Sequence, residues 1–195
     1  LKPRLFYSAA TREKGDRLLN SYNISTADMV IGLNPGARYG SSKCWPPEHF
    51  ARLAEMISQR WDCKILLFTG PGERDLGRRI MELSRVEILD TTDDGVDLQV
   101  LMPLIQRCRL LITNDTGPRH YAVAFDIPVV VIMGPTDPRY TNANLGQTIV
   151  LRRELICAPC HHKECTVHHE CMADIKPPEV VQAAAKLLQK HTMIN

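Results

Sequence analysis

Residues 110–120 read Leu-Leu-Ile-Thr-Asn-Asp-Thr-Gly-Pro-Arg-His, and the groups able to do chemistry crowd where the apolar run gives way to polar residues. The apolar run suits a strand buried on both faces. Pro118 suits the first turn of a following helix, where no backbone donor is needed. The unmatched N–H groups of such a turn, at the positive end of the helix dipole, attract anions. Asp115, Thr116, Gly117, Pro118 and His120 are therefore candidate ligand contacts. A local reading stays open beside this one, because Asp115 or Thr116 also serves as an ordinary helix N-cap.

Three other stretches have the same character. Residues 36–44 are small and polar, with Gly36, Gly40 and Lys43; Gly70-Pro71-Gly72 is followed by Glu73; and residues 134–138 read Gly-Pro-Thr-Asp-Pro. Together they outline a phosphate site, although neither a P-loop nor a G-x-G-x-x-G pattern is present. A different chemistry is offered by Cys157, Cys160, Cys165 and Cys171, interleaved with His161, His162, His168 and His169. Four thiols in so short a segment can hold tetrahedral zinc, but the spacing after Cys160 is less regular than that of paired knuckles. A structural loop of thiols or a local disulfide is the preferred reading, and no metal site is assigned.

The elements that must position these groups follow from hydrophobic period. Short apolar runs at 29–33, 64–69, 86–89, 110–112 and 128–133 read as strands. Helices are expected over 8–22, from Pro47 (with Phe50, Leu53, Ala54, Ile57 and Trp61 on one face), over 73–84, and after Gly117. Asp97 reads as the N-cap of another helix, kinked at Pro103, that carries Leu98, Leu101, Met102, Ile105 and Cys108 inward. The helix over 8–22 has only Leu18, Leu19 and Tyr22 for an apolar face, a pattern that leans on another domain. Strands alternating with helices predict an α/β, Rossmann-like parallel sheet with helices on both faces, and such sheets bind ligands at the carboxyl ends of their strands.

Composition removes several classes. The 24 basic and 22 acidic residues of the 195 leave a formal charge of +2, so no global field favours nucleic acid. No apolar stretch reaches the roughly 20 residues of a membrane span. Residues 1–10 lack the apolar region and cleavage context of a secretory leader. Seven cysteines, three of them scattered (Cys44, Cys63, Cys108), suit reduced thiols and a cytoplasmic location. The chain opens on Leu1, as a fragment of a longer polypeptide would.

Three of these stretches also carry a resemblance. Asn34-Pro35-Gly36-Ala37-Arg38-Tyr39-Gly40-Ser41-Ser42-Lys43-Cys44-Trp45-Pro46, Thr113-Asn114-Asp115-Thr116-Gly117-Pro118-Arg119-His120 and Gly134-Pro135-Thr136-Asp137-Pro138 resemble, in order, motifs of the lipopolysaccharide heptosyltransferases of glycosyltransferase family 9. The four spaced cysteines followed by Met172 are similar to that family's C-terminal segment. The likeness is greatest to the heptosyltransferase II type and to its C-terminal domain alone. Two departures are Cys44, where a basic residue is usual, and Asp126, where glycine is usual.

The resemblance implies one half of a GT-B fold, with residues 1–24 the end of an interdomain connection and 25–195 the nucleotide-sugar-binding domain. It implies a part of an inverting glycosyltransferase that moves heptose from ADP-heptose to the inner core of lipopolysaccharide, needing no cofactor. The acceptor and the catalytic base would belong to an N-terminal domain that precedes this chain, leaving the chain inactive alone, with a peripheral place at the inner membrane. Lys43 and the backbone N–H groups of Thr116 and Gly117 would meet the diphosphate. Gly36, Gly70, Glu73, Asp115, Pro118, His120 and Thr136 complete the expected donor contacts. Glu73 is open between a ribose contact and a first-turn carboxylate, and Asp115 between a sugar contact and a cap. Thr136 and Asp137 are open between lining the site and capping a turn. Two other functions compete: a sugar-nucleotide epimerase of the same fold, and a zinc-binding interaction module built on the Cys/His segment.

Overall fold

Four apolar runs form the centre of the sheet because both of their faces are covered. In the computed structural model, which describes residues 3–70, 72–141 and 145–192, they are β1 (Val30–Asn34), β2 (Lys64–Leu67), β4 (Leu110–Asn114) and β5 (Val129–Ile132). The short β3 (Leu89–Asp90) and β6 (Thr148–Leu151) form the edges. The order is β3-β2-β1-β4-β5-β6 and every pairing is parallel.

Alternate residues of each strand face opposite layers. Ile31, Leu33, Ile112, Val130 and Ile132 pack under α2 (Pro47–Arg60), α3 (Arg74–Leu83) and α7 (Pro177–Thr192). Val30, Leu111, Val129 and Val131 pack under α1 (Ala9–Ser21), α4 (Leu101–Arg107) and α5 (Pro118–Ala124). The remaining helix, α6 (Glu170–Ala173), is one turn beside α7. The expected Rossmann-like α/β sheet with helices on both faces is therefore present.

Several expectations change in detail. β6 and α7 extend the five-strand reading. The shallow helix α1, capped by the Ser8 hydroxyl, leans on α4 of this same chain, with Leu19 buried among Leu101, Leu104 and Ile105. The Asp97 carboxylate does accept N–H bonds, from Gln99 (2.9 Å) and Val100 (2.8 Å), but it closes a turn that precedes a shorter α4. Pro103 thus falls in the first turn, where it displaces no hydrogen bond and makes no kink. Leu98, left on the capping turn, is 64% exposed instead of inward. Pro71 of the Gly-Pro-Gly turn lies outside the described residues. Among the described residues, no helix is long and apolar enough to cross a membrane.

One side chain ties the loop after β1 to the C-terminal layer. Trp45 is fully buried, its indole N–H donates to the Ile175 carbonyl (2.8 Å), and its ring meets Phe50 edge-on. Its structural role is the one expected for Trp45-Pro46-Pro47. Trp45→Ala removes an aromatic from a close-packed core and orphans a carbonyl. It is expected to cost ~3–5 kcal/mol in urea unfolding, whereas a loss under about 1 kcal/mol would mean that the loop is held by other contacts.

Candidate functional site

The strand order reverses between β1 and β4, so the chain leaves these neighbours in opposite directions and opens a crevice at their carboxyl ends. Buried amides brace its floor. The Asn34 side chain donates to the hydroxyls of Thr113 and Thr116 (both 3.1 Å). Asn114 donates to the Pro35 carbonyl (2.6 Å) and accepts the Trp45 N–H (3.2 Å). Each strand end thereby holds the other's outgoing loop.

On this floor sits a charged unit. Asp115 accepts at Oδ1 from Arg119 (2.5 Å), and at Oδ2 from the Thr136 hydroxyl (2.7 Å) and Lys43 Nζ (3.2 Å). Lys43 Nζ also donates to the Asp115 carbonyl (2.9 Å) and lies 5.1 Å from the Tyr39 ring centre. All three charged side chains are largely buried. Burial alone pushes the Asp115 carboxyl up. The Thr136 hydroxyl, the Lys43 charge and Arg119 outweigh burial and hold it below the usual carboxylate range. Two cations against one anion leave the unit net positive.

The expected site residues divide around this unit. Lys43, Asp115 and Thr136 come together directly. Asp115 is the shared acceptor instead of a helix cap, since α5 begins without a side-chain cap. Pro118 opens α5 as expected, and among the described residues the N–H groups of Thr116 and Gly117 meet no protein acceptor. His120 is exposed one residue beyond Arg119; partial desolvation, then the Arg119 charge, push its imidazole below the ordinary value. Asp137 caps the following turn by accepting from Arg139, which draws it down to about 2.

Glu73 turns its carboxylate back onto the preceding loop and caps no helix N–H. It precedes the first residue of α3, and its Oε2 accepts the Gly70 N–H (2.8 Å). Its carboxylate fills the space beside Gly36, where a Cβ would lie 1.9 Å from Oε2. Gly36, Gly70 and Glu73 therefore form a second cluster beside the charged unit, at the ends of β1 and β2. Sequence reasoning missed Arg119. The signal for it was its i,i+4 spacing from Asp115 across the start of α5.

A family model described as "Glycosyltransferase family 9 (heptosyltransferase)" matches residues 3–170. The chain belongs to this family. It is 35% identical over 175 residues to lipooligosaccharide heptosyltransferase 2 of Campylobacter jejuni, covering 87% of this chain and 54% of the relative. Its structure matches that of Escherichia coli ADP-heptose lps heptosyltransferase II with a TM-score of 0.81 at 26% identity, covering 98% of this chain and 55% of the other. It also matches the glycosyl transferase family 9 of Veillonella parvula with a TM-score of 0.82 at 26% identity, covering 97% and 54%. The family 9 chain thus spans about half the length of the relatives it matches.

The family match corrects one expectation. It runs from residue 3 to residue 170 and corresponds to the family's N-terminal nucleotide-binding domain, not to the C-terminal nucleotide-sugar-binding domain expected. The assignment of this chain as a C-terminal domain alone is therefore given up. Of the two readings kept open for the Cys/His segment, a loop of thiols or a local disulfide, the structure shows the thiols, since all seven cysteines are free.

A second cavity, of about 290 Å³, opens at the amino ends of β1 and β2 and is lined in part by Asp28, Asp62, Glu87 and Lys64. Three carboxylates against one ammonium give it the wrong sign for a phosphate, in contrast to the two cations and one anion at Asp115. Asp115→Ala strands buried cations there and is expected to cost ~3–5 kcal/mol at neutral pH. Because the folded pKa of Asp115 is depressed, its contribution is full above the unfolded value, roughly 3.9, and is lost as pH falls through the lower folded value. The stability gap between wild type and Asp115→Ala should therefore narrow below about pH 4. A gap unchanged in acid, by urea unfolding across that range, would remove the ion pairs as its cause.

Proposed function

We propose that this chain is the nucleotide-sugar-binding part of an inverting heptosyltransferase. It takes ADP-heptose at the carboxyl ends of β1 and β4, for addition of heptose to the lipopolysaccharide inner core. The observation that carries this reading is the net-positive Lys43–Asp115–Arg119 unit at the strand-order reversal, beside two unmatched N–H groups, in a chain of family 9. Likeness to a protein described as an ADP-heptose lps heptosyltransferase II supports the choice of nucleotide and sugar.

The ammonium of Lys43 has three N–H bonds and gives two of them to Asp115, which leaves one for a phosphate oxygen. Thr116 and Gly117 add backbone donors. As the bond to the anomeric carbon breaks, negative charge grows on the departing diphosphate, and these donors, fixed beforehand by Asp115 and the amide braces, stabilise it. The Glu73 carboxylate, with Oε1 left unengaged among the described residues, suits a ribose hydroxyl.

Inversion requires an acceptor hydroxyl on the face opposite the diphosphate and a base to take its proton. Asp115 is no such base, because both of its oxygens are engaged and its pKa is lowered. The acceptor and its base are assigned to the part of full-length relatives that this chain does not span, so the chain alone binds donor without transferring heptose. Seven free thiols support a cytoplasmic location, and a lipid-borne acceptor supports a peripheral place at the inner membrane. The near-balanced charge favours no nucleic acid partner.

Lys43→Ala is expected to weaken ADP binding roughly ten- to a hundredfold by calorimetry, because a charge-assisted hydrogen bond is worth roughly 1.5–3 kcal/mol. Thr116→Pro, which deletes a backbone donor, is expected to harm binding more than Thr116→Ala. Unchanged affinity in Lys43→Ala, or binding of UDP in preference to ADP, would overturn the reading; the second outcome would favour an epimerase.

A further inference from the structure

The segment between β6 and α6 holds the turn that carries Lys43, and it does so through one buried residue, Ser42. The Ser42 N–H donates to the Lys163 carbonyl (3.0 Å) and its hydroxyl to the His162 carbonyl (2.5 Å). Its own carbonyl lies 2.7 Å from Nε2 of His169. A carbonyl oxygen can only accept, so Nε2 carries the ring proton and donates it. Every polar group of the residue before Lys43 is thus engaged by a single strap of chain.

Neighbouring contacts confine the same turn. The Tyr39 hydroxyl donates to the His161 carbonyl (2.6 Å), and the Tyr39 ring centre lies 5.1 Å from Lys43 Nζ. Gly40 passes so close that a Cβ there would fall 2.2 Å from the Lys163 carbonyl oxygen. The His161 N–H in turn donates to the Pro135 carbonyl (2.9 Å), beside Thr136, which binds the same Asp115 oxygen as Lys43. The strap therefore fastens both loops that meet at that oxygen. His169 closes it. Its backbone is left-handed (φ 57°), a conformation that histidine adopts more readily than most residues. It stands directly before α6, whose Cys171 and Met172 are buried against Gly134, so the ring springs from a fixed base.

We propose that His169 is a positioning residue for the phosphate contact: its bond to the Ser42 carbonyl holds the turn that aims Lys43. A lysine on a loosely held loop gives up side-chain and backbone freedom when it meets a ligand, and that loss is subtracted from affinity. Here the backbone from which the side chain springs is held at all three polar groups of Ser42, and Nζ already stands on Asp115. His169 acts through Ser42 and Lys43, as part of the arrangement the structure already shows. The effect on ADP rests on the nucleotide reading, whereas the aiming of Lys43 stands without it.

The test uses the purified chain and its variants His169→Ala, His169→Gln and Lys43→Ala. ADP affinity is measured by calorimetry, and the Lys43 ammonium group is followed by NMR of the isotope-labelled protein. Alanine and glutamine share the backbone cost of a left-handed position, and glutamine returns an N–H donor at similar reach. His169→Ala is expected to weaken ADP binding roughly five- to tenfold, the worth of one hydrogen bond. His169→Gln should recover most of that loss. In the Lys43→Ala background His169→Ala should cost nothing more, because a residue that acts through Lys43 has nothing left to position. The Lys43 ammonium signal should broaden in His169→Ala and return in His169→Gln. Cys157→Ser, on an exposed part of the strap, should bind ADP as wild type does. If circular dichroism shows His169→Ala unfolded, Ser42→Ala, which removes one hydroxyl bond from the same turn, replaces it in the cycle with the same expected outcome.

Losses that add in full in the double variant, or no recovery with glutamine, would overturn the proposal. So would a lowered melting temperature in His169→Ala with ADP affinity and the Lys43 signal unchanged, which would leave His169 a purely structural part. If no form binds ADP, the nucleotide reading fails and the Lys43 signal decides: its loss in His169→Ala upholds the positioning, and its persistence overturns it.

Discussion

The crevice between β1 and β4 depends on one buried carboxylate. Asp115 accepts from Lys43 on the loop after β1, from Arg119 on α5 and from Thr136 on the loop after β5, so three chain segments share a single acceptor. Burying charges is costly in itself, and the attraction between them offsets that cost only when hydrogen bonds complete the geometry. Here they do, with both Lys43 and Arg119 bound to the one carboxylate. A domain that held its lysine by packing alone would have to order a long flexible side chain each time a ligand arrived.

What allows Asp115 to act this way is the rigidity around it. β1 and β4 are central strands, buried on both faces, and Asn34 and Asn114 bind each strand end to the loop of the other. Trp45 carries this brace onward to the backbone before α7, and the strap of residues 157–169 closes over the lysine turn from outside. The site is thus assembled from sequence neighbourhoods more than a hundred residues apart. Its geometry belongs to the sheet and not to any one loop.

That distribution decides what could be read from residue order. Strands β1, β2, β4 and β5 were legible because strands covered on both faces must be apolar without interruption. β6 was not, since a four-residue edge strand after irregular turns leaves almost no pattern. α7 was legible in principle: Pro177 opens it, and Val180, Ala184, Leu187 and Leu188 recur at helical spacing. Lys43, Asp115, Thr116 and Thr136 could be picked out because they follow strands, yet the role of Asp115 as shared acceptor needed the fold. Arg119 reads as a surface helix residue until its burial is known. The grip of the Cys/His segment on residues 39–42 has no local signature at all. The expected place as a C-terminal domain drew on resemblance and not on residue chemistry, and the extent of the family match overturned it.

The central claim is that nucleotide binds where β1 and β4 part, at the Asp115 unit. Amide chemical-shift mapping of the isotope-labelled chain, titrated with ADP, tests this residue by residue. The account predicts shifts concentrated at residues 36–44, at Gly70 and Glu73, and at residues 115–120, with the largest at Thr116 and Gly117. Shifts gathered instead at Asp28, Asp62, Lys64 and Glu87, around the cavity at the amino ends of the strands, would contradict it.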